Sequence, residues 1–283
     1  MESLTPSRLA TLGHPQRLAL FRLLMRRYPD RVAAGELAQA LDLKPSTLSA
    51  YLAALMQAGL VSQTRTGTSL RYTVAIEAVR AMFDELLLDC CRGRPDVCSP
   101  VSLSLAQGGS PMPARPLSVL FICTGNSARS IFAEALLRDL GGDRFTAHSA
   151  GTRPYSELNP FALKVLADKG HDVSVLRAKN VSEFQGEDAP VFDFVFTVCD
   201  QAANEDCPAW EGQPVSAHWG MPDPVKATGT DAEQSLAFQQ AYGALRNRIL
   251  AFTALPFDSL DRLSLQRAVD DIGRTPAATE TPA

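Results

Sequence analysis

The spacing of apolar positions changes near residue 116, and the change predicts two domains of different class. Before that point apolar residues recur at helical intervals, as in Leu48, Leu52 and Leu55. After it, short apolar runs alternate with helical segments, which is typical of a parallel sheet flanked by helices. The predicted segments are a first domain, a linker containing Gly and Pro, a second domain, a helical extension and a disordered tail, at residues 1–98, 99–115, 116–255, 256–273 and 274–283.

The first segment has the element order of a winged helix-turn-helix. The pattern predicts three helices, two short strands and a last helix, at about residues 15–24, 34–41, 45–55, 60–65, 69–74 and 76–91. The two strands flank a Thr-Gly-Thr turn and form a hairpin. Burial of the leucines in the third helix leaves small polar residues and one tyrosine for solvent or a nucleic-acid groove, namely Ser46, Thr47, Ser49 and Tyr51.

The second segment predicts an α/β domain with a four-stranded parallel sheet. Strands are expected at 117–122, 145–149, 193–198 and 215–218, and helices at 127–140, 160–169 and 231–253. In such sheets the functional site lies at the carboxyl ends of the strands. The predicted fold class is therefore a mostly α winged helix-turn-helix domain followed by an α/β domain with a four-stranded parallel sheet flanked by helices.

One strand, loop and helix in this second domain carries the candidate chemistry. The first strand ends in Cys123, and a loop of small residues leads to Arg129 at the start of a helix. A helix N-terminus presents unpaired N–H groups, which suit an oxyanion and also lower a cysteine pKa. Cys123 is thus a candidate thiolate nucleophile and Arg129 a candidate anion clamp. The alternative is a buried cysteine that merely ends a core strand.

The stretch from Val119 to Ser130, Val-Leu-Phe-Ile-Cys-Thr-Gly-Asn-Ser-Ala-Arg-Ser, resembles the low-molecular-weight tyrosine phosphatase fold and its arsenate reductase branch. The resemblance implies that the loop binds the oxyanion through Thr124, Gly125, Asn126, Ser127, Ala128, Arg129 and Ser130. It implies catalytic roles for Cys123, Arg129, Cys199, Cys207 and Asp223.

In the scheme that this resemblance implies, Cys123 attacks arsenate and Asp223 protonates the departing oxygen. Cys199 then attacks Cys123, and Cys207 resolves the disulfide, which thioredoxin or a similar dithiol reduces. Cys199 and Cys207 are eight residues apart, one more than is usual in the family. No tyrosine pair follows Asp223, which favours a reductase. A phosphatase or a non-catalytic oxyanion-binding domain remains the alternative.

The first domain resembles ArsR-type repressors at residues 13–18, 45–55 and 58–61. The resemblance implies operator DNA as a partner, with the helix from Pro45 in the major groove and with Arg65 and Arg71 on phosphates. It also implies a homodimer formed through the last helix of the domain. A winged helix kept only for dimerisation or protein contacts is the alternative.

Three thiols near the end of the first domain, Cys90, Cys91 and Cys98, make a soft site. Thiolates suit a thiophilic metal or trivalent arsenic, and some ArsR-type sensors carry a similar set. An arsenite-inducer site and bystander cysteines are both open. By resemblance, Asn126, Glu134 and Ser149 match positions that shape the oxyanion loop and in some relatives bind a monovalent cation. Structural support of the loop is the alternative for these three.

Composition adds the cellular setting. The chain has 283 residues and a net charge of −4, yet residues 1–80 hold ten Lys and Arg against five Asp and Glu. A basic N-terminal part is consistent with an anionic partner. The N-terminus lacks the pattern of a secretion signal and no apolar stretch reaches membrane-spanning length, so we expect a cytoplasmic protein without a membrane partner. No tightly bound cofactor is expected.

Together these features predict an arsenic-responsive repressor fused to an arsenate reductase.

Overall fold

Two units with separate apolar cores make up the chain. The computed structural model describes residues 4–90, 115–186, 188–205 and 210–275. The chain divides into Met1–Ser110 and Pro111–Ala283. The predicted linker at 99–115 and the predicted tail at 274–283 lie almost entirely outside the described residues. No helix in the described ranges is both long and apolar enough to cross a bilayer.

The first unit contains five α-helices among its described residues, α1 (Thr5–Leu12), α2 (Pro15–Arg27), α3 (Ala34–Ala40), α4 (Pro45–Gln57) and α5 (Ile76–Asp84). A π-helical turn, Glu85–Cys90, continues α5. Proline opens α2 and α4, where its missing N–H costs nothing. The predicted stripe of Leu48, Leu52 and Leu55 on α4 is buried, as expected. Helix α1 was not predicted, because Thr5 is its single buried residue.

A three-stranded antiparallel sheet completes this unit. Its strands are β1 (Val32–Ala33), β2 (Val61–Thr66) and β3 (Ser69–Val74), in the order β1-β3-β2. Thr66 pairs with Ser69 across the tip, where Gly67 has a φ of +58°. The predicted hairpin is therefore confirmed, whereas β1, with only two residues, had no detectable pattern.

The second unit is built on a parallel sheet of four strands. These are β4 (Leu117–Cys123), β5 (Phe145–Gly151), β6 (Phe194–Thr197) and β7 (Val215–His218), in the order β5-β4-β6-β7. All seven residues of β4 are buried, as expected for a central strand covered on both faces. The predicted fold class is confirmed.

The helices of the second unit are α6 (Arg129–Gly141), α7 (Pro160–Asp168), α8 (Asp200–Asn204), α9 (Asp231–Thr253) and α10 (Arg262–Arg274). Helix α10 falls in the segment predicted as a C-terminal extension, but its apolar side chains belong to the same core as the sheet. The buried residues that it contributes are Leu265, Val269 and Ile272. Consequently α10 is an integral part of the α/β unit.

Candidate active site

The oxyanion loop, residues 123–130, joins the carboxyl end of β4 to α6. Its carbonyl oxygens turn outward, since Thr124, Gly125 and Ser127 accept hydrogen bonds from the N–H groups of Arg153, Tyr155 and Asn159 at 2.9–3.0 Å. The C=O and N–H of a planar trans peptide point in opposite directions. The N–H groups that follow these three carbonyls therefore face the inside of the loop, where they can donate to an anion or to the Cys123 sulfur.

The Cys123 sulfur receives hydrogen bonds from two groups of this loop. The Asn126 N–H donates to it at 3.1 Å, and the Ser130 hydroxyl lies 2.9 Å away. Because the Asn126 amide nitrogen donates to the Ser130 oxygen at 2.8 Å, the hydroxyl hydrogen is available to the sulfur. Both contacts favour the thiolate form.

A buried polar network fixes the orientation of the Asn126 amide. The Lys179 N–H donates to the Asn126 side-chain oxygen at 2.7 Å, so the amide nitrogen must face Ser130 and Ser149. Ser149 in turn donates to the Glu134 carboxylate. Asn126 has a φ of +44°, a left-handed conformation that asparagine tolerates better than most residues. The network thus stabilises a strained turn directly beneath the Cys123 sulfur.

The Glu134 carboxylate is buried and paired with two cations. The Lys179 ammonium lies 2.9 Å from Glu134 Oε2, and the Arg138 guanidinium lies 2.9 Å from Oε1. Lys179 also donates to the Arg177 carbonyl at 3.1 Å. A buried carboxylate needs such partners because the desolvation of an unpaired charge is costly. Glu134 and Ser149, which we expected to shape the loop, therefore lie in one network with Lys179.

The expected lowering of the Cys123 pKa is wrong. Burial raises the pKa of this thiol, and the neighbouring Cys199 thiol raises it further. The Ser130 hydrogen bond and the Arg129 charge lower it, but the balance is upward. The sequence revealed the donors around the sulfur but could not reveal how completely water is excluded from it.

Arg129 and Asp223 meet at the mouth of the loop. The Arg129 guanidinium makes an ion pair of 2.8 Å with the Asp223 carboxylate and donates to the Met221 carbonyl at 3.3 Å. Both side chains are mostly buried, with 11% and 22% of their surface exposed. The predicted clamp and the predicted acid, 94 positions apart in the sequence, therefore lie in direct contact.

The second thiol, Cys199, lies just beyond the neighbouring strand β6. Ile122 pairs with Thr197 in the parallel register, and the Thr124 hydroxyl lies 3.4 Å from the Cys199 sulfur. That sulfur also accepts a hydrogen bond of 3.4 Å from the Ala202 N–H at the start of α8. Adjacent strands lie about 4.8 Å apart, and a disulfide spans Cα separations of about 4.4–6.8 Å. The strand spacing is compatible with a bond between the two cysteines. Cys207 lies outside the described residues.

Residues 118–262 match the family described as low molecular weight phosphotyrosine protein phosphatase. The chain belongs to this family. It is 35% identical over 134 residues to an arsenate reductase of Halalkalibacterium halodurans and 34% identical over 134 residues to one of Bacillus subtilis. Each alignment covers 47% of this chain and 93% of the relative.

A solved structure of an arsenate reductase from Archaeoglobus fulgidus aligns with 23% identity and a TM-score of 0.40, over 48% of this chain and 99% of that chain. Residues 12–64 match a helix-turn-helix domain. The protein thus joins a helix-turn-helix domain to a phosphatase-family domain that is similar to arsenate reductases.

Some residues at this phosphatase-family site carried no sequence signal. Tyr155, which is 61% exposed, lies over the loop, and a Cβ at Gly125 would come within 2.5 Å of its ring. Arg153 forms an ion pair with Glu205, just after α8. Lys179 belongs to no motif. Gly125 was the one available hint, because a glycine often marks a position where another part of the chain approaches the backbone closely.

The predicted DNA-contacting residues lie on α4 and on the β2–β3 hairpin. Ser46 and Ser49 are exposed, and Thr47 is half-buried. Tyr51 is also half-buried, because its ring lies 5.1 Å from that of His14 and its hydroxyl donates to Gln16. The exposed residues of this group are candidates for groove contacts, whereas Tyr51 is partly occupied within its own unit.

The two arginines on the hairpin, Arg65 and Arg71, are both exposed. Arg65 pairs with Leu70 and Arg71 with Thr64, so the alternation of strand side chains directs them to opposite faces of the hairpin. Arg71 also donates to the Arg31 carbonyl at 3.1 Å. The two guanidinium groups therefore cannot approach a phosphate from the same face.

The predicted soft-metal site is described only at Cys90, which is exposed and free. Cys91 and Cys98 lie outside the described residues. The three described cysteines, Cys90, Cys123 and Cys199, are all free thiols.

Proposed function

We propose that the second domain reduces arsenate to arsenite through a relay of Cys123, Cys199 and Cys207. The observation that carries this proposal is the second buried thiol at the anion loop, with the Cys199 sulfur 3.4 Å from the Thr124 hydroxyl. A phosphatase of this architecture requires one thiol. A reductase requires two electrons from thiols, and a neighbouring Cys199 can supply the second sulfur.

In the first step the Cys123 thiolate attacks arsenic, and one arsenate oxygen leaves as water. The inward N–H groups and Arg129 stabilise the charge on the oxyanion. An oxyanion that takes the donors of Arg129 separates Asp223 from its ion pair, and Asp223 takes up the proton that the Cys123 thiol releases. Asp223 then delivers this proton to the departing hydroxyl, which leaves as water. The product of this step is a Cys123–arsenic thioester that still contains arsenic(V).

In the second step Cys199 attacks the Cys123 sulfur. The S–As bond breaks, its electron pair stays on arsenic, and arsenite leaves while the Cys123–Cys199 disulfide forms. Cys207 then attacks Cys199 and releases the Cys123 thiolate. An external dithiol of the thioredoxin type reduces the Cys199–Cys207 disulfide by exchange. The two electrons that reduce arsenic therefore come from the external dithiol.

A coupled assay with arsenate, thioredoxin, thioredoxin reductase and NADPH tests the proposal. We expect arsenate-dependent NADPH oxidation that Cys123→Ser and Cys199→Ser both abolish. Hydrolysis of para-nitrophenyl phosphate by Cys199→Ser is the matched control, since that reaction uses Cys123 alone. Full arsenate turnover in Cys199→Ser would refute the relay. Aryl phosphate hydrolysis without arsenate reduction in the wild type would identify a phosphatase instead.

We further propose that the first domain is an arsenic-responsive repressor of operator DNA. The match to a helix-turn-helix domain, the exposed Ser46 and Ser49 on α4 and the exposed arginines of the hairpin support DNA binding. Arsenite held by Cys90, Cys91 and Cys98 would act as inducer. The fluorescence anisotropy of labelled operator DNA should fall when arsenite is added, because the protein then releases the DNA. An unchanged response after replacing all three cysteines by serine would exclude this sensor site.

A homodimer of this domain is part of the same proposal. Helix α1 is hydrogen-bonded to α5 and to the π-helical turn that continues it. Thr5 donates to Glu85 of that turn at 2.7 Å, and Arg8 donates to the Ala78 carbonyl of α5 at 3.0 Å. Near this contact Leu9 and Phe83 are 44% and 51% exposed. Burial of such side chains between two copies would stabilise a dimer. Light scattering should report a dimer that Phe83→Asp converts to a monomer.

We also propose that the Lys179 ammonium does the work of a monovalent cation beside the oxyanion loop. Its contacts with Glu134 Oε2 and the Arg177 carbonyl supply the positive charge that the buried carboxylate needs. Turnover should then be the same in potassium, sodium and choline chloride. In Lys179→Ala, potassium or ammonium ions should restore part of the lost activity, and choline should not.

A further inference from the structure

Helix α10 begins where the family match ends, at residue 262. It packs against β7, the edge strand of the sheet. The Gln266 side chain donates to the Ser216 carbonyl of that strand at 2.7 Å. A Cβ at Gly273 would lie 2.6 Å from the His218 carbonyl oxygen, so the end of α10 lies directly on the backbone that leaves β7. The helix therefore covers the sheet edge next to the active site.

The acid loop, residues 218–224, starts under this helix. The Trp219 indole N–H donates to the Val269 carbonyl of α10 at 3.0 Å. The Trp219 ring also stacks on Phe196, with ring centroids 4.1 Å apart and an interplanar angle of 12°. Trp219 is thus held on one side by the sheet and on the other by α10.

Arg248 of α9 joins the acid loop to the end of α10. One guanidinium nitrogen donates to the carbonyls of Trp219 and Gly220 at 2.7 and 3.1 Å. The other donates to the carbonyls of Gly273 and Thr275 at 3.2 and 3.3 Å. Arg248 is 6% exposed. The burial of its charge is offset by four carbonyl contacts, two of them at the negative end of a helix dipole.

The position of this backbone determines the position of Asp223. Only Met221 and Pro222 separate Gly220 from Asp223, and Pro224 follows it. The prolines on either side of Asp223 have fixed φ angles, which limits the freedom of this short segment. A shift of the backbone at Gly220 therefore moves Asp223 as well. At the far end Arg129 contacts both the Met221 carbonyl and the Asp223 carboxylate.

We propose that Arg248 and α10 form a positioning element that holds the acid loop, and with it Asp223, in register with Arg129 and the departing oxygen. Arg248 contacts no reacting atom and acts through the backbone of Trp219 and Gly220. The proposal rests on the acid role of Asp223 in the proposed function. Arg248 lies within the family match at residues 118–262, whereas the helix that it joins to the acid loop, α10, begins where that match ends.

A leaving-group series with purified full-length protein tests the proposal. Protonation of the departing oxygen matters for phenyl phosphate and hardly matters for 2,4-dinitrophenyl phosphate, whose phenolate leaves unaided. Arg248→Met should lower kcat/KM for phenyl phosphate by about 10-fold or more, and for the dinitrophenyl ester by less than about twofold. Arg248→Lys should recover part of the loss. Arg246→Met, two residues away on the exposed face of α9, is the matched control and should behave as wild type.

A double-mutant cycle with Asp223→Asn gives a second readout. If Arg248 acts through Asp223, then Arg248→Met/Asp223→Asn should be no slower than Asp223→Asn alone, on aryl phosphates and on arsenate. If Arg248→Met fails to fold, Trp219→Phe is the second variant, since it keeps the stacked ring but loses the hydrogen bond to Val269. Its kcat/KM should also fall more for phenyl phosphate than for the dinitrophenyl ester, but by less than in Arg248→Met.

Equal losses on both esters, no loss, or additive effects in the cycle would overturn the proposal. A wild type that hydrolyses aryl phosphates but does not reduce arsenate would overturn the proposed reductase and leave this inference standing. A wild type with neither activity would overturn both.

Discussion

The two loops that meet at the active site are held in different ways. The oxyanion loop is supported by side chains. Asn126, Ser130 and Ser149 are completely buried, and the Asn126 amide donates hydrogen bonds to both serine hydroxyls. The acid loop is supported through its backbone, by Arg248 and α10. The first arrangement fixes the anion and the sulfur with many small contacts. In the proposed arrangement, the second makes the position of Asp223 depend on one guanidinium and one helix.

This difference implies that mutations in the two supports affect catalysis differently. A defect in the oxyanion loop should impair every reaction of the site, because nucleophile and anion share its donors. A defect behind the acid loop should impair only reactions that need a proton on the leaving group.

Asn126→Ala should disable the oxyanion loop. The substitution removes the donors to Ser130 and Ser149 and the acceptor for the Lys179 N–H. We expect turnover to fall about 100-fold on all substrates and unfolding free energy to fall by about 3 kcal/mol. Steady-state kinetics and urea denaturation measure the two effects.

Thr230→Ala is the control for this substitution. It removes an exposed N-cap of α9 that belongs to neither loop, and it should cost about 1 kcal/mol with normal turnover. A loss in Asn126→Ala that is confined to poor leaving groups would contradict the contrast between the loops.

Cys199→Ala should make Cys123 more reactive at neutral pH. Cys199 raises the pKa of Cys123, so its removal lowers that pKa and increases the thiolate fraction at a given pH. The pH profile of iodoacetamide labelling, followed by peptide mass spectrometry, should shift to lower pH for Cys123. Labelling of the exposed Cys90 in the same samples is the internal reference. An unshifted profile would mean that the two thiols do not interact.

Asp270→Asn should have the smallest effect, and it concerns the helix behind the acid loop. Burial raises the pKa of Asp270 to about 6. The folded state therefore binds this proton more tightly than the unfolded state, and wild-type stability falls as pH rises from about 4 to 6. The variant should be more stable by roughly 1–3 kcal/mol at pH 8 and almost unchanged near pH 4. Thermal unfolding of the wild type and the variant at pH 4 and pH 8 measures this difference. Equal stability of the two proteins at pH 8 would contradict the raised pKa of Asp270.

The sequence was sufficient for the parts of the site that are contiguous. The strand ending in Cys123, the loop and the helix from Arg129 follow one another within 13 residues, so local patterns could reveal them. The parallel sheet followed from alternating apolar runs. The two domains could be predicted for the same reason, because each has a strong periodic pattern of its own.

The sequence was insufficient for contacts between distant residues that no family resemblance indicated. Lys179 reaches Glu134 from 45 residues away, and Arg248 reaches Trp219 from 29 residues away, with no motif around either cation. The direction of the Cys123 pKa depends on how far the surrounding chain excludes water, which no local pattern reports. Helix α10 looked like an appendage, since its role depends on where β7 ends.

The most direct test of the central claim is a single turnover of reduced protein with arsenate, followed by mapping of the disulfides by mass spectrometry. In Cys207→Ser the relay must stop at its second step, so we predict one equivalent of arsenite and a Cys123–Cys199 disulfide. In the wild type we predict a Cys199–Cys207 disulfide and a free Cys123. Arsenite formed without either disulfide, or no arsenite at all, would contradict the proposed relay.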